Sequence, residues 1–504
     1  MTVKTTGKTS RTGGGVLALL LAVILLAIFK LLPALMSLIM SFQDYSPVRG
    51  LLNSAWVGFE NYQRFFASYH FSVLVKNSLM LGVLSNLLPL ALGTVIGFFT
   101  ARHIPDKLAG IGLAGWLLPV FIPKQIYGAL VGWLGGAQVL GMPGPSTVAY
   151  LVCNGIPLLC LTAFVTGCCG WLTRRQKKGL SGVLMGGLAM GAMTLASMFS
   201  PDRELLSTLQ NSLNYESTDV LNTYIYRTGM MEAVYSSASA TWITLLALQL
   251  PGLLVGILLL MMGLRYLKQQ KPQEAGTTTS PAAITGAVLA LVAALVITLL
   301  FVTLMPGSLP SSIGAYLFSS ILRTVLGTAA ALTLMTLLAA GTLSLPRVGL
   351  IVPLVVVWLG QNLVAEYMLF RQLGLYNTYL PDAILQPMNG SLLLPMVLLV
   401  LLAAGKEGFS FRKVLPFLIL FGGLFAAQIW GSSLYSTVYL MDQEKYDLAM
   451  MIKELVIVNG TPTAPSFTEG GGLTLLLSLY GILPVVLGAV CIGLFGCLVR
   501  PKSE

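Results

Sequence analysis

Long runs of apolar residues, separated by short polar segments, dominate the chain. The first run extends from Val16 to about Phe42, and eleven further runs follow it. A transmembrane helix needs about 20 mostly apolar residues, and inside a bilayer such a helix satisfies its own backbone hydrogen bonds. The pattern therefore predicts an all-α, polytopic membrane protein with about twelve transmembrane helices.

A polar segment near the middle divides the predicted spans into two sets of six. We assign residues 1–267 to a first half, 268–281 to a cytoplasmic linker and 282–504 to a second half. The predicted spans lie near 16–42, 73–101, 108–134, 147–171, 181–199, 237–264, 282–305, 315–344, 348–368, 383–404, 414–431 and 472–498.

Composition supports the membrane assignment. The 504 residues are 56% hydrophobic and only 9% charged, whereas a soluble domain carries about 25% charged residues. The six cysteines lie in apolar runs, which indicates packing roles. Neither of the two histidines is near a cysteine pair, so we predict no metal site.

The positions of the basic residues predict the orientation. If the amino terminus is cytoplasmic, 18 of the 29 Lys and Arg residues lie in inner segments, against four acidic residues. Short cytoplasmic loops are enriched in Lys and Arg in this way. We therefore expect a multi-pass protein of the bacterial cytoplasmic membrane with both termini in the cytoplasm. Because the basic residues are spread over separate loops, the net charge of +11 does not indicate nucleic-acid binding.

The two halves resemble weak copies of one another. Each has a basic loop after its second span, and the prolines of these loops, Pro105 and Pro346, are 241 residues apart. Each half also has a short basic turn on the inner side and a long polar outer loop before its last span. Duplicated halves are common in transporters, with the substrate path between them.

Four stretches resemble the permease subunits of carbohydrate ABC importers, of the oligosaccharide or polysaccharide type. In the first half they are residues 42–77, with FQDYSPVRGLLNSAWVGFENYQRFF followed by FSVLVKNSLML, and residues 218–237, TDVLNTYIYRTGMMEAVYSS. In the second half they are LVAEYMLFRQLGLYNTYLPDAIL at 363–385 and YLMDQEKYDLAMMIKELVI at 439–457. The order implies two partner subunits fused in one chain, with a type I importer fold.

The resemblance implies partners on both sides of the membrane. An extracellular lipoprotein that binds solute would dock on the outer loops 44–72, 200–236 and 432–470, and cytoplasmic ATPase subunits would bind ATP and drive alternating access. The chain has no GxxxxGK[ST] motif, so we expect no enzymatic activity and no cofactor of its own. We expect the docking residues to include Tyr226, Arg227, Tyr439, Asp442 and Tyr446.

Permeases of this family carry a Glu-Ala-Ala motif in a cytoplasmic coupling helix, and both halves lack it here. The corresponding turns read TRRQKKGL at 173–180 and KEGFSFRK at 406–413. A coupling helix needs about ten residues to project from the membrane, and these turns offer fewer. If an ATPase still docks, its contacts come from charged residues of these turns, namely Arg174, Arg175, Lys177, Lys178, Lys406, Glu407, Arg412 and Lys413. Otherwise, these residues only determine topology.

Polar side chains within or near the spans are candidates for a sugar path. Lys124 either extends to the membrane interface or faces a cavity. The others either bond neighbouring helices or line the path, with Trp430 stacking on a sugar ring. The candidates are Lys124, Asn154, Gln361, Asn362, Gln428 and Trp430.

Three functions remain open at this point. The first is a permease for oligosaccharide import, and the second is an ATPase-free receptor or scaffold that keeps only the outer docking surface. The third is a passive or ion-coupled carrier. We find no Asp or Glu deep inside a predicted span, and a proton-coupled carrier ordinarily needs one, so the third is disfavoured.

Overall fold

Long apolar helices form most of the computed structural model. It describes residues 6–128, 130–131, 143–174, 178–210, 213–269, 313–389, 391–405, 410–459 and 472–499. The α-helices are Thr6–Leu26, Leu32–Ser41, Gly50–Asn53, Glu60–Ala67, Tyr69–His103, Ala109–Ala114, Pro143–Arg174, Gly179–Ala196, Arg203–Leu209, Tyr215–Thr218, Leu221–Tyr226, Tyr235–Gln269, Ile313–Ser344, Pro346–Leu359, Leu363–Gln372, Leu380–Asn389, Leu393–Ala404, Phe411–Gly431, Leu434–Tyr439, Leu448–Asn459 and Gly472–Leu498.

Short irregular elements complete the described structure. A π-helical turn at Ala27–Leu31 lies between the helices Thr6–Leu26 and Leu32–Ser41, and a second at Arg227–Met231 follows the short helix Leu221–Tyr226. 3₁₀-Helices occur at Gly115–Phe121 and Gln443–Lys445. The strands Gln43–Asp44 and Ala55–Trp56 pair antiparallel, with Gln43 opposite Trp56.

The apolar helices confirm the all-α membrane fold but not the number of twelve spans. Within the described residues, eight helices are long and apolar enough to cross a membrane, or ten if two bent pairs are each counted as one span. The predicted seventh span, 282–305, lies outside the described residues. Multiple apolar helices of this kind identify a multi-pass membrane protein.

The third predicted span, 108–134, is not one continuous helix. The helix Ala109–Ala114 continues as a 3₁₀-helix to Phe121, and the backbone is extended at Ile122. Pro119 and Pro123 explain the break, because proline lacks the N–H that an α-helix needs in its interior.

The ninth predicted span, 348–368, is also broken. The helices Pro346–Leu359 and Leu363–Gln372 meet at an angle of 96°. Gly360 between them has a φ of +57°, which glycine adopts at little cost. The backbone of residues 360–362 is therefore not helical.

The apolar core joins the part of the chain before residue 269 to the part after residue 313. Phe164 of the first part packs within 6.2 Å of Phe421 and 6.3 Å of Phe495, measured between ring centroids. Conversely, the first span exposes many of its leucines, including Leu17 and Leu20, as expected for a helix in contact with lipid.

Candidate transport cavity

One cavity of about 350 Å³ lies between the two parts of the chain and has a markedly polar lining. The first part contributes the segment 122–125, the helix Pro143–Arg174 and the loop that starts at Pro201. The second part contributes residues around Gly360 and the end of the helix Phe411–Gly431. Its side-chain amides are those of Asn86, Gln125, Asn154, Asn222, Gln361, Gln386 and Gln428.

Four of the six residues expected on a sugar path line this cavity: Lys124, Asn154, Gln361 and Gln428. Lys124 forms an ion pair with Asp202, so its charge is directed into the protein rather than only towards the membrane interface. The structure therefore brings together polar residues from four separate predicted elements.

Asn362 and Trp430 are buried outside the cavity lining. The Asn362 amide donates to the carbonyl oxygen of Pro33 at 3.2 Å, and its Oδ1 accepts a hydrogen bond from Ser37 at 3.0 Å. The indole N–H of Trp430 donates to the carbonyl oxygen of Tyr480 at 3.1 Å. Both side chains thus bond neighbouring helices, and the ring of Trp430 is not placed to stack on a sugar in this cavity.

Glu204 connects the loop after the fifth predicted span to the second part of the chain. Its carboxylate accepts hydrogen bonds from Gln125 Nε2 at 2.8 Å and from the hydroxyl groups of Ser432 and Ser433 at 3.0 and 3.1 Å. The backbone N–H of Ser433 also donates to it. Glu204 thus joins the two parts of the chain through a network of hydrogen bonds.

A buried ion pair links the first span to the bent ninth span. Lys30 Nζ lies 2.7 Å from Glu366 Oε1 and donates to the carbonyl oxygen of Gly360 at 2.8 Å. Tyr435 donates to the second carboxylate oxygen at 3.3 Å. Our expectation that no acidic residue lies deep inside a span is therefore wrong. Burying Glu366 is tolerated because Lys30 supplies the opposite charge.

A second buried ionic cluster lies within the second half, and the sequence analysis missed it. Arg323, in the helix Ile313–Ser344, is completely buried, and its Nη1 lies 3.1 Å from Asp382 Oδ2 and 2.9 Å from Asp447 Oδ2. The same guanidinium donates to Ser436 Oγ at 2.6 Å. Arg323 is therefore a second fully buried cation, beside Lys30.

The residues predicted to dock a partner differ in how exposed they are. Arg227 pairs with Asp219 at 3.0 Å and lies over the ring of Tyr215 at 4.8 Å, while Tyr226 lies beneath the guanidinium of Arg203. Asp442 is exposed and Tyr446 is half-buried. Tyr439, by contrast, is buried against Phe370, Tyr367 and Tyr435, which leaves it no surface for a partner.

Two basic residues of the first inner turn bind the ends of neighbouring helices. Arg174 pairs with Asp106 and donates to the carbonyl oxygen of Ala101 at 3.2 Å, and Lys178 donates to that of Leu267 at 2.9 Å. Cations at helix carboxyl termini are favourable because unpaired carbonyl groups lie there.

Of the other six residues predicted to face an ATPase, the structure describes two. Arg412 is exposed and Lys413 is half-buried at the start of the helix Phe411–Gly431. The remaining four of the set, Arg175, Lys177, Lys406 and Glu407, lie outside the described residues.

Comparison with known proteins identifies two relatives from Bacillus subtilis strain 168. The chain is 24% identical to Protein LplB over 296 residues, a match covering 49% of this chain and 86% of LplB. It is 26% identical over 277 residues to YteP, a polygalacturonan/rhamnogalacturonan transport system permease protein, covering 48% of this chain and 84% of YteP. No protein-family model matches the chain.

Among solved structures, the chain matches a bacterial alginate ABC transporter in complex with an alginate pentasaccharide-bound periplasmic protein. The match has 19% identity and a TM-score of 0.38, and covers 52% of this chain and 96% of that one. A second structure of a bacterial alginate importer gives the same identity and TM-score. Over about half of its length, this multi-pass membrane protein is thus similar in sequence to a permease protein of a bacterial carbohydrate transport system.

Proposed function

We propose that this chain is the transmembrane permease component of an ABC-type system that imports oligosaccharides. The observation that carries the proposal is the cavity of about 350 Å³, which lies inside a bundle of apolar helices and is lined by polar residues from both parts of the chain. Amide and hydroxyl groups both donate and accept hydrogen bonds, as the hydroxyl groups of a sugar do.

The similarity to YteP supports a role in carbohydrate transport, and its extent supports a fused pair of permeases. A match to 84% of that permease takes up only 48% of this chain. We propose that residues 1–267 and 282–504 are two permease halves around one substrate path, which opens alternately to the two sides of the membrane.

The outer partner in this proposal is an extracellular lipoprotein that binds the solute. The loop carrying Tyr226 and Arg227 supplies residues to the cavity rim and also reaches the protein surface. A partner bound there, and at the exposed Asp442, would deliver its saccharide close to the cavity.

The inner partner is a separate ATPase. The helices Pro143–Arg174 and Gly179–Ala196 leave only four residues for the first inner turn, and two cations beside this turn already bind the chain's own carbonyl groups. Contact with an ATPase would therefore be formed mainly by Arg175, Lys177 and the second inner turn. If no ATPase binds, the ATPase-free receptor becomes the better assignment.

The deciding experiment is saccharide uptake into proteoliposomes that contain this chain, candidate ATPases and binding proteins from neighbouring genes. Asn154→Trp places a bicyclic ring in the cavity and should abolish uptake. The matched control is Val148→Trp, on the same helix but with a side chain 58% exposed, which should transport like the wild type.

Two results would contradict the proposal. One is wild-type uptake by a correctly folded Asn154→Trp variant, because the cavity would then not be the path. The other is failure of every candidate ATPase to co-purify with the chain or to show stimulated hydrolysis.

A further inference from the structure

Arg203 is the buried cation of the cavity that lacks a matching carboxylate. Its side chain is 7% exposed and lines the cavity. Its Nη2 donates to Gln361 Oε1 at 3.0 Å, and its guanidinium lies 5.1 Å from the ring centroid of Tyr226. Its Nε has no hydrogen-bond acceptor, and it forms no ion pair with any described residue.

The acidic neighbours of Arg203 in sequence do not neutralise it. Asp202 pairs with Lys124 and accepts the backbone N–H of Leu205 at 3.0 Å, as the N-cap of the helix Arg203–Leu209. The carboxylate of Glu204 accepts hydrogen bonds from Gln125, Ser432 and Ser433 instead.

An unpaired guanidinium in a buried site is unfavourable on its own. Burial lowers the pKa of Arg203, and the surrounding tyrosines and carboxylates only partly offset this effect. Arginine nevertheless stays protonated in proteins, so the cavity keeps a cation that is stabilised when an anion enters. A guanidinium can bind a carboxylate through two parallel hydrogen bonds.

We propose that Arg203 binds the carboxylate of a uronic acid, so that the substrate is an anionic saccharide. The amides of the lining, among them Asn154, Asn222 and Gln428, then bind the hydroxyl groups of the same molecule. This inference rests on the proposed permease function and adds the charge of the substrate to it.

The test compares two ligands with the same sugar backbone, one with ionised carboxyl groups and one with neutral methyl esters. Isothermal titration calorimetry measures binding of trigalacturonate, and of its fully methyl-esterified form, to the purified chain in lipid nanodiscs. Because a hydrogen bond to a charged group contributes more than a neutral one, the wild type should bind the acid roughly 10- to 100-fold more tightly than the ester.

Three variants separate recognition from folding. Arg203→Gln should bind the acid and the ester with equal affinity, and Arg203→Lys should keep part of the preference for the acid. Arg64→Gln removes one positive charge from an exposed side chain outside the cavity and should keep the full preference for the acid. Thermal unfolding and size-exclusion profiles establish that each variant is folded.

Equal binding of acid and ester by the wild type would overturn the inference, and so would a preference that persists in folded Arg203→Gln. Failure of the wild type to bind either ligand would overturn it as well. The permease proposal is judged separately by the uptake assay, in which wild-type transport of a neutral saccharide would support the permease and contradict the role of Arg203.

Discussion

Removing one partner of the buried pair Lys30–Glu366 should strongly destabilise the protein. The two charges are 2.7 Å apart and nearly inaccessible, with side chains 2% and 0% exposed. At an effective dielectric constant of about 20, their Coulomb attraction is about 6 kcal/mol, and the loss of hydration of both ions opposes it. A single substitution leaves the other ion buried without its partner, which costs about 3–5 kcal/mol.

A double-mutant cycle isolates this effect. Lys30→Met and Glu366→Gln should each lower the free energy of unfolding by about 3–5 kcal/mol. The double variant should lose only about 1–3 kcal/mol, chiefly because the carbonyl group of Gly360 loses its donor. The expected coupling energy is therefore at least about 3 kcal/mol, since removing both charges avoids an isolated buried ion.

The assay is unfolding by SDS titration in lipid bicelles, followed by the fluorescence of the seven tryptophans. The matched control is a cycle on the exposed pair Arg64 and Glu60, whose side chains are 73% and 46% exposed. That pair should show a coupling of less than about 1 kcal/mol. Additive effects of Lys30→Met and Glu366→Gln, within about 0.5 kcal/mol, would refute the reasoning.

Three further predictions concern packing, pH and topology. A Cβ on Gly82 would clash with the main-chain carbonyl oxygen of Met198, so Gly82→Ala should destabilise by about 1–3 kcal/mol, whereas Gly314→Ala, in open space, should be neutral in thermal unfolding. Burial raises the pKa of Asp219 to about 6 and outweighs a hydrogen bond from Thr223, which lowers that pKa. Because the pKa in the folded protein exceeds the ordinary value, this carboxyl group stabilises the folded state increasingly as the pH falls from about 6 to about 4. Asp219→Asn should remove that part of the pH dependence of Tm, and an unchanged profile would contradict it. Cysteine labelling should find Gln176→Cys accessible from inside and Gln443→Cys from outside, and outer labelling at 176 would overturn the orientation.

The positions of the spans could be predicted because a bilayer demands long apolar segments. The breaks within those segments were not predicted. Pro119 and Pro123 interrupt the third predicted span, and Gly360 breaks the ninth. Runs that are hydrophobic on all sides give no information about where a helix bends, whereas proline and glycine give only local signals.

Some of the residues that line the cavity could be selected from the sequence. Lys124 and Gln428 stood out because polar groups are costly among apolar ones. Arg203 and Glu204 lie in a polar segment predicted to be an outer loop, where charged residues are ordinary, so nothing in the sequence marked them as cavity residues. For Glu366 a signal existed: Lys30 lies inside a span and requires an opposite charge, although the partner is 336 residues away.

The bent ninth span connects the cavity to the first span. Gln361 faces the cavity from the break between two helices, and the preceding residue, Gly360, is held by Lys30 of the first span. In the proposed permease, a change in the 96° angle would move the Gln361 amide at the cavity and pull on the first span at once. If the chain transports its substrate as we propose, recognition and gating would share this one peptide unit, and a variant that stiffens the break would slow opening of the path.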